Sequence, residues 1–150
     1  MKTPLVRISL ALALAACATA DAAPRPREVA YGVDACEQCH MSVDDPALAA
    51  EWLEPGGTAH KFDQPGCLVA WLAAHPSASG IGFVRDYAGG GWVRADSAVY
   101  VLGGRKTDMG YGVTAFPARS AAEARAASVN GRTLDWATLR KEGVPDAHAH

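Results

Sequence analysis

Glu51-Trp52-Leu53-Glu54-Pro55-Gly56-Gly57-Thr58-Ala59-His60-Lys61-Phe62-Asp63-Gln64-Pro65-Gly66-Cys67-Leu68 is the stretch on which the fold turns. Two short runs containing apolar residues flank a Pro-Gly-Gly break, the pattern of a β-hairpin. Pro65 then opens a helix whose periodic residues are Leu68, Trp71, Leu72 and His75. Asp63 or Gln64 is placed to cap it, and Pro76 to stop it.

Downstream the chain reads as strands again: Gly82 to Tyr87, a Gly89-Gly90-Gly91 turn, Trp92 to Arg94, Val99 to Leu102 before Gly103-Gly104, and Val113 to Phe116. β-branched and aromatic residues between glycine-rich turns are what a half-buried pleated surface selects. Ser120-Ala121-Ala122-Glu123 predicts a capping box for an alanine-rich helix ending near Asn130-Gly131. Asp135 predicts the cap of a short last helix through Trp136 and Leu139. Both halves thus run strand, glycine-rich turn, strand ending in Phe, proline and helix, with Phe62 and Phe116 in corresponding places. The expected fold class is α+β, two small related ββα units in one compact domain behind an N-terminal lipid-anchored tether.

The N-terminus reads as an export signal. Lys2 and Arg7 precede an apolar run from Ile8 to Ala16, and Leu14-Ala15-Ala16-Cys17 has the form of a lipobox, with Cys17 as the lipidated first residue of the mature chain. Ala18-Thr19-Ala20 and Ala20-Asp21-Ala22 would also serve a non-lipidating signal peptidase. The apolar run is too short to span a bilayer, so the expectation is a chain anchored in the periplasm, with Ala18 permitting sorting to the outer membrane. The organisation expected is a signal peptide over 1–16, a tether over 17–32 containing Pro24 and Pro26, a compact domain over 33–140 and a tail over 141–150.

Removing residues 1–16 takes two of the fourteen basic residues and none of the sixteen acidic ones, leaving a net charge of −4. No basic patch points to nucleic acid. The charges are scattered without long single-sign runs, as on a solvated surface.

Cys36-Glu37-Gln38-Cys39-His40-Met41 carries the chemistry: two thiols, an imidazole and a thioether in six residues. The motif alone leaves four readings open. Thiols in an oxidising compartment tend to pair, and a Cys36–Cys39 disulfide is the plainest of them. A dithiol redox site wants its first cysteine at a helix N-terminus within a βαβ pattern, which the sequence lacks. Cys36-x-x-Cys39-His40 matches a c-type haem attachment motif, with Met109 available as the far axial ligand of a lipid-anchored electron-transfer cytochrome, although the flanking segments read as strands where cytochrome helices belong.

The fourth reading is a soft-metal site, because thiolate and thioether sulfur favour Cu(I) over harder divalent ions. In an extended segment Cys39 and Met41 would share one face, with His40 on the other. Met109 lies in the glycine-flanked, polar Thr107-Asp108-Met109-Gly110-Tyr111-Gly112, an unusual setting for a packing methionine. Cys67, beside Leu68 and Trp71, reads first as a small buried hydrophobe, with a supporting ligand role as the alternative. His148 and His150 read as a terminal tail, and His60 and His75 as surface residues.

Taken together, these pieces resemble the NosL family, lipoprotein accessory factors of nitrous oxide reductase. The resemblance runs from about Val33 to Leu139. It rests on Cys36-x-x-Cys39-x-Met41, Phe62-Asp63 followed by Gly66-Cys67-Leu68-Val69-Ala70-Trp71, Arg85-Asp86-Tyr87 before Trp92-Val93, Ala98-Val99-Tyr100-Val101, and Met109-Gly110 before Ala115-Phe116. It implies a Cu(I) chaperone that supplies the copper–sulfide centre of nitrous oxide reductase, working with an ABC-type membrane complex. Its fold would be two related ββα units, and it would act by capture and release without catalysing a reaction. Cys39 and Met41 match the family's Cys-x-Met, and Met109 its Met-Gly loop. Cys36 is the assisting thiol of the expected ligand set, since some relatives have one cysteine there. Many relatives have Gly where this chain has His40, and sulfur is common at the position of Cys67.

Overall fold

The computed structural model describes residues 23–104 and 111–145. The predicted hairpin is β1 (Ala50–Leu53) and β2 (Ala59–Phe62), paired antiparallel from Ala50↔Phe62 to Leu53↔Ala59. Its loop is closed by the Glu54 N–H donating to Thr58 and the Gly57 N–H donating to Glu54, both at 2.9 Å. Gly57 takes φ +88°, a conformation that glycine reaches without the steric cost of a Cβ.

Helix α1 (Pro65–Ala74) starts at the predicted proline, where the missing N–H costs nothing because that position has no intrahelical acceptor. Gln64 is the cap residue, as one of the two expected, but its side chain makes no capping hydrogen bond. Strand β3 (Ile81–Arg85) then returns beside β1, and β4 (Trp92–Arg94) adds to its far edge, giving the antiparallel order β2-β1-β3-β4.

The second half repeats this plan. Strands β5 (Val99–Leu102) and β6 (Val113–Phe116) pair antiparallel, α2 (Arg119–Val129) follows, and β7 (Arg132–Asp135) returns beside β5, giving the order β6-β5-β7. The two related ββα units are therefore each completed by a third strand, paired antiparallel with the first strand of its own hairpin. The capping box does not form: α2 begins at Arg119, one residue before Ser120, and its cap residue Ala118 makes no side-chain bond. Asn130 ends the helix in the left-handed region at φ +51°, a conformation asparagine tolerates better than most residues. Helix α3 (Trp136–Glu142) is capped as predicted, the Asp135 carboxylate accepting from the Thr138 N–H at 2.7 Å.

A parallel bridge between Asp86 and Ala115, with the Tyr87 N–H donating to the Ala115 carbonyl at 2.9 Å, joins the two sheets. The main core runs through both units, taking in Phe62, Leu68, Leu72, Val84, Tyr100, Val113, Leu134 and Leu139. Helix α1 lies within it and is buried on nearly every face, which is why its sequence is apolar all round. Helix α2 covers its own sheet, with Arg125 over the Tyr87 ring of the first unit, and buries Ala122 and Ala126.

The packed body takes in residues on both sides of 33–140. The Arg27 backbone N–H donates to both oxygens of the buried Glu51 carboxylate at 3.0 and 2.9 Å, Val29 is buried, and Val144 packs against the core. Burial raises the Glu51 carboxyl above its usual range, opposed by the Arg27 amide and the nearby cations. Among the described residues no helix is long and apolar enough to cross a membrane. The signal segment and Cys17 lie outside the described residues, as do Met109, His148 and His150.

Candidate metal centre

Residues 32–43 form a narrow ribbon. The Gly32 N–H donates to Val43, the Val43 N–H to Asp34 and the Cys36 N–H to Met41, at 3.0, 2.8 and 2.7 Å, and Ala35 pairs with Ser42. At its tip the chain does not stay extended. The His40 N–H donates back to the Cys36 carbonyl at 2.8 Å, and His40 takes φ +61°. The expected alternation of Cys39 and Met41 on one face with His40 on the other therefore fails, because a helical turn replaces the strand. A Cβ at that φ is strained, so the turn would suit glycine better than histidine.

The turn aims Cys36 and Cys39 at the first turn of α1, where Cys67 is the third residue. The three sulfur atoms lie within 4.8 Å of one another, and Cys39 Sγ to Cys67 Sγ is 4.0 Å. Cys36 and Cys67 are wholly buried, while Cys39 keeps partial access to solvent. Gly66 holds the helix start in place: a Cβ on it would fall 2.5 Å from the Tyr111 Cβ, so only glycine lets that ring press against the turn carrying Cys67. Asp63 fastens the other side. Its carboxylate accepts from the Asp44 N–H at 3.3 Å, and its own N–H reaches the Cys36 sulfur.

The three thiols are electrically unequal. Cys36 is lowered to about 5, first by the hydrogen bond from Cys67 and then by the backbone N–H groups of Asp63, Cys39 and Gln38, against the opposing effect of burial. Cys67 is raised, first because its proton is engaged by Cys36 and then by burial, and burial raises Cys39. One thiolate, on Cys36, is thus stabilised inside a nest of donors. For a single soft ion the fit is good. Metal–sulfur bonds of about 2.3 Å place the sulfurs of a trigonal site about 4.0 Å apart, and Cu(I) accepts two to four soft donors.

The sequence read Cys67 first as a buried hydrophobe, with a supporting ligand role as the alternative, because a thiol in an apolar helical pattern looks like core, and core is also what it is. Its distinguishing mark is its place in the first turn of a helix that begins at Pro65. Of the other expected ligands, Met41 stands on the same tip, 40% exposed, and Met109 lies outside the described residues.

His75 is exposed as expected and His60 is half-buried; both line an open cavity of about 470 Å3 with Glu37, Glu54 and Trp71. The His60 side chain is only 17% exposed and lies 3.1 Å from Glu54 and 3.6 Å from Glu37. His75 stacks on Trp71 at 4.2 Å between ring centroids, and its Nδ1 donates to the Trp71 carbonyl at 2.8 Å.

Comparison with known proteins agrees with this architecture. The NosL family model matches residues 30–144. The fold is similar to the crystal structure of the copper chaperone NosL from Shewanella denitrificans, with a TM-score of 0.65 and 16% sequence identity, over 76% of this chain and 95% of that one. No match is found among curated proteins. At that identity the crystal structure supports the fold alone, whereas the family match spans the ribbon, both ββα units and all three thiols: the chain belongs to the NosL family.

Proposed function

We propose that Cys36, Cys39 and Cys67 hold one Cu(I) ion as cargo, and that the protein is a periplasmic copper chaperone supplying the copper–sulfide centre of nitrous oxide reductase. The observation that carries this reading is the convergence of three sulfurs within 4.8 Å, from two separate elements, inside a NosL-family fold. Thiolates on a ribbon tip and a helix terminus cost burial and strain that packing alone does not require. A soft monovalent ion offsets that cost by engaging all three sulfurs at once.

Met41 adds a neutral thioether at the solvent side, and Met109 completes the donor set from its glycine-flanked segment. The partly open Cys39 edge lets an acceptor's ligands enter and take the ion stepwise, so the protein transfers an ion and catalyses no reaction. Cys17 carries the lipid that keeps the domain at a membrane, within reach of the ABC-type complex and the reductase. The arrangement favours an ion over covalent haem: Cys36 is wholly buried and its hydrogen-bond partner is Cys67, which leaves that sulfur no open side for a haem edge.

The test is an anaerobic competition titration of the reduced protein with a chromophoric Cu(I) chelator, preceded by an absorption spectrum for haem. One-to-one binding that withstands the chelator and is lost in Cys39→Ser is the expected result. A protein that surrenders all its copper to a weak chelator is not a copper carrier, and a haem band would return the Cys36-x-x-Cys39-His40 motif to the cytochrome reading.

A further inference from the structure

Cys39 and Cys67 come from different elements, the ribbon tip and the first turn of α1, and stand 28 residues apart in sequence, yet their sulfurs are 4.0 Å from each other. A disulfide bond needs about 2.05 Å, so an approach of about 2 Å, shared between two side-chain rotations and the ribbon tip, joins them. The tip is placed to make that move. Residues 37–41 belong to no strand, and none of them is buried.

Of the three thiols, Cys36 is the worst placed to pair. Its sulfur accepts from the backbone N–H groups of Asp63, Cys39 and Gln38, and a bond to either neighbour would pull it out of that nest. The Cys39 sulfur has the Met41 N–H alone as a backbone donor. A Cys36–Cys39 link would also close a very short loop, whereas a Cys39–Cys67 link constrains the unfolded chain over 28 residues and stabilises the fold more. Cys39 keeps partial access to solvent while Cys36 and Cys67 are buried, so an oxidant meets Cys39 first.

We propose that the metal-free protein closes a Cys39–Cys67 disulfide on meeting a small-molecule disulfide, and that this bond shuts the three-sulfur site. In the first step the Cys39 sulfur attacks one sulfur of the oxidant R–S–S–R. A Cys39–S–S–R bond forms, the oxidant's own S–S bond breaks, and one R–SH leaves with the Cys39 proton. In the second step the Cys67 sulfur attacks the Cys39 sulfur, the bond to R–S breaks, and a second R–SH leaves with the Cys67 proton. Two protein thiols thus give up two electrons, and one disulfide is reduced to two thiols. Cys36 stays reduced and buried, without the two neighbours that complete a trigonal site. The purpose of this lock rests on the copper-carrier reading, because an ion held by Cys39 and Cys67 occupies the same two sulfurs and keeps them from the oxidant. The bond itself does not rest on it.

The experiment exposes the reduced, metal-free protein to excess oxidised glutathione, traps the remaining thiols with iodoacetamide in denaturant, and maps the cysteines by tryptic mass spectrometry. Lys61 lies between Cys39 and Cys67, so trypsin parts the two unless they are joined. Cross-linked peptides with the alkyl group on Cys36 are the expected result, and the same cross-link should form in Cys36→Ser. Cys67→Ser should instead stop at a glutathione adduct on Cys39.

Pairing of Cys36 with either neighbour, a glutathione adduct that persists in the unsubstituted protein, or three thiols left untouched would overturn the proposal. Loading the protein beforehand with one equivalent of Cu(I) should slow the cross-link about tenfold or more, since a sulfur occupied by the ion is a poor nucleophile. A Cys39–Cys67 cross-link that forms just as fast in the loaded protein would uphold the disulfide and strike only the carrier reading.

Discussion

The two ββαβ units share one topology and differ in what their helices face. Helix α1 lies between its own sheet and β6 and α3 of the other unit, and it buries seven of its residues. Helix α2 lies mainly on β5, β6 and β7, touches the first unit where Arg125 stacks over the Tyr87 ring at 5.2 Å, and buries two alanines. The thiol from a helix is found where the helix is central. A duplicated plan thus separates into a unit that holds the site and a unit that braces it, and the brace reaches the site through Tyr111 against Gly66.

The largest effect that sharpens this contrast is on the metal. Cys67→Ser is expected to lower Cu(I) affinity at least tenfold, about 1.4 kcal/mol, in a chelator competition at fixed pH. Unchanged affinity would reduce α1 to packing and leave the ribbon as the whole site. Next comes the brace. Gly66→Ala must displace the Tyr111 ring or the first turn of α1, at a cost of about 1–3 kcal/mol in urea unfolding, and copper affinity should fall with it because Cys67 moves. Ala126→Gly in α2, measured alongside, should cost about 1 kcal/mol and leave affinity alone. Equal copper losses in these two variants would dissolve the distinction between the units.

The smallest effect is a gain. His40→Gly relieves the left-handed strain at the ribbon tip and should stabilise the protein by up to about 1 kcal/mol, with Cu(I) affinity retained. A loss of affinity in that variant would make the imidazole a ligand.

How much of this was legible in the sequence depended on whether one residue type could decide a position. Pro55-Gly56-Gly57 and Pro65 are such residues, and the first hairpin and α1 followed from them. Strand β7 was not legible because it buries only Leu134, so no alternation of apolar residues marks it. The capping box misled because Ser120 lies one residue inside a helix that starts directly after Pro117-Ala118. The ribbon tip was read as extended because nothing in Cys39-His40-Met41 announces a positive φ at histidine.

The bond from the Arg27 amide to Glu51 has a mechanical meaning. It is a mooring point: whatever pulls on the chain from the N-terminal side pulls on β1, not on the ribbon, so the thiols are shielded from tension. For a lipid on Cys17, the line to that mooring is ten residues, at most about 35 Å when fully extended. On the proposed carrier reading, such an anchor would confine the cargo to a shallow layer over the membrane, and a partner exchanging copper would have to present its own site within that layer.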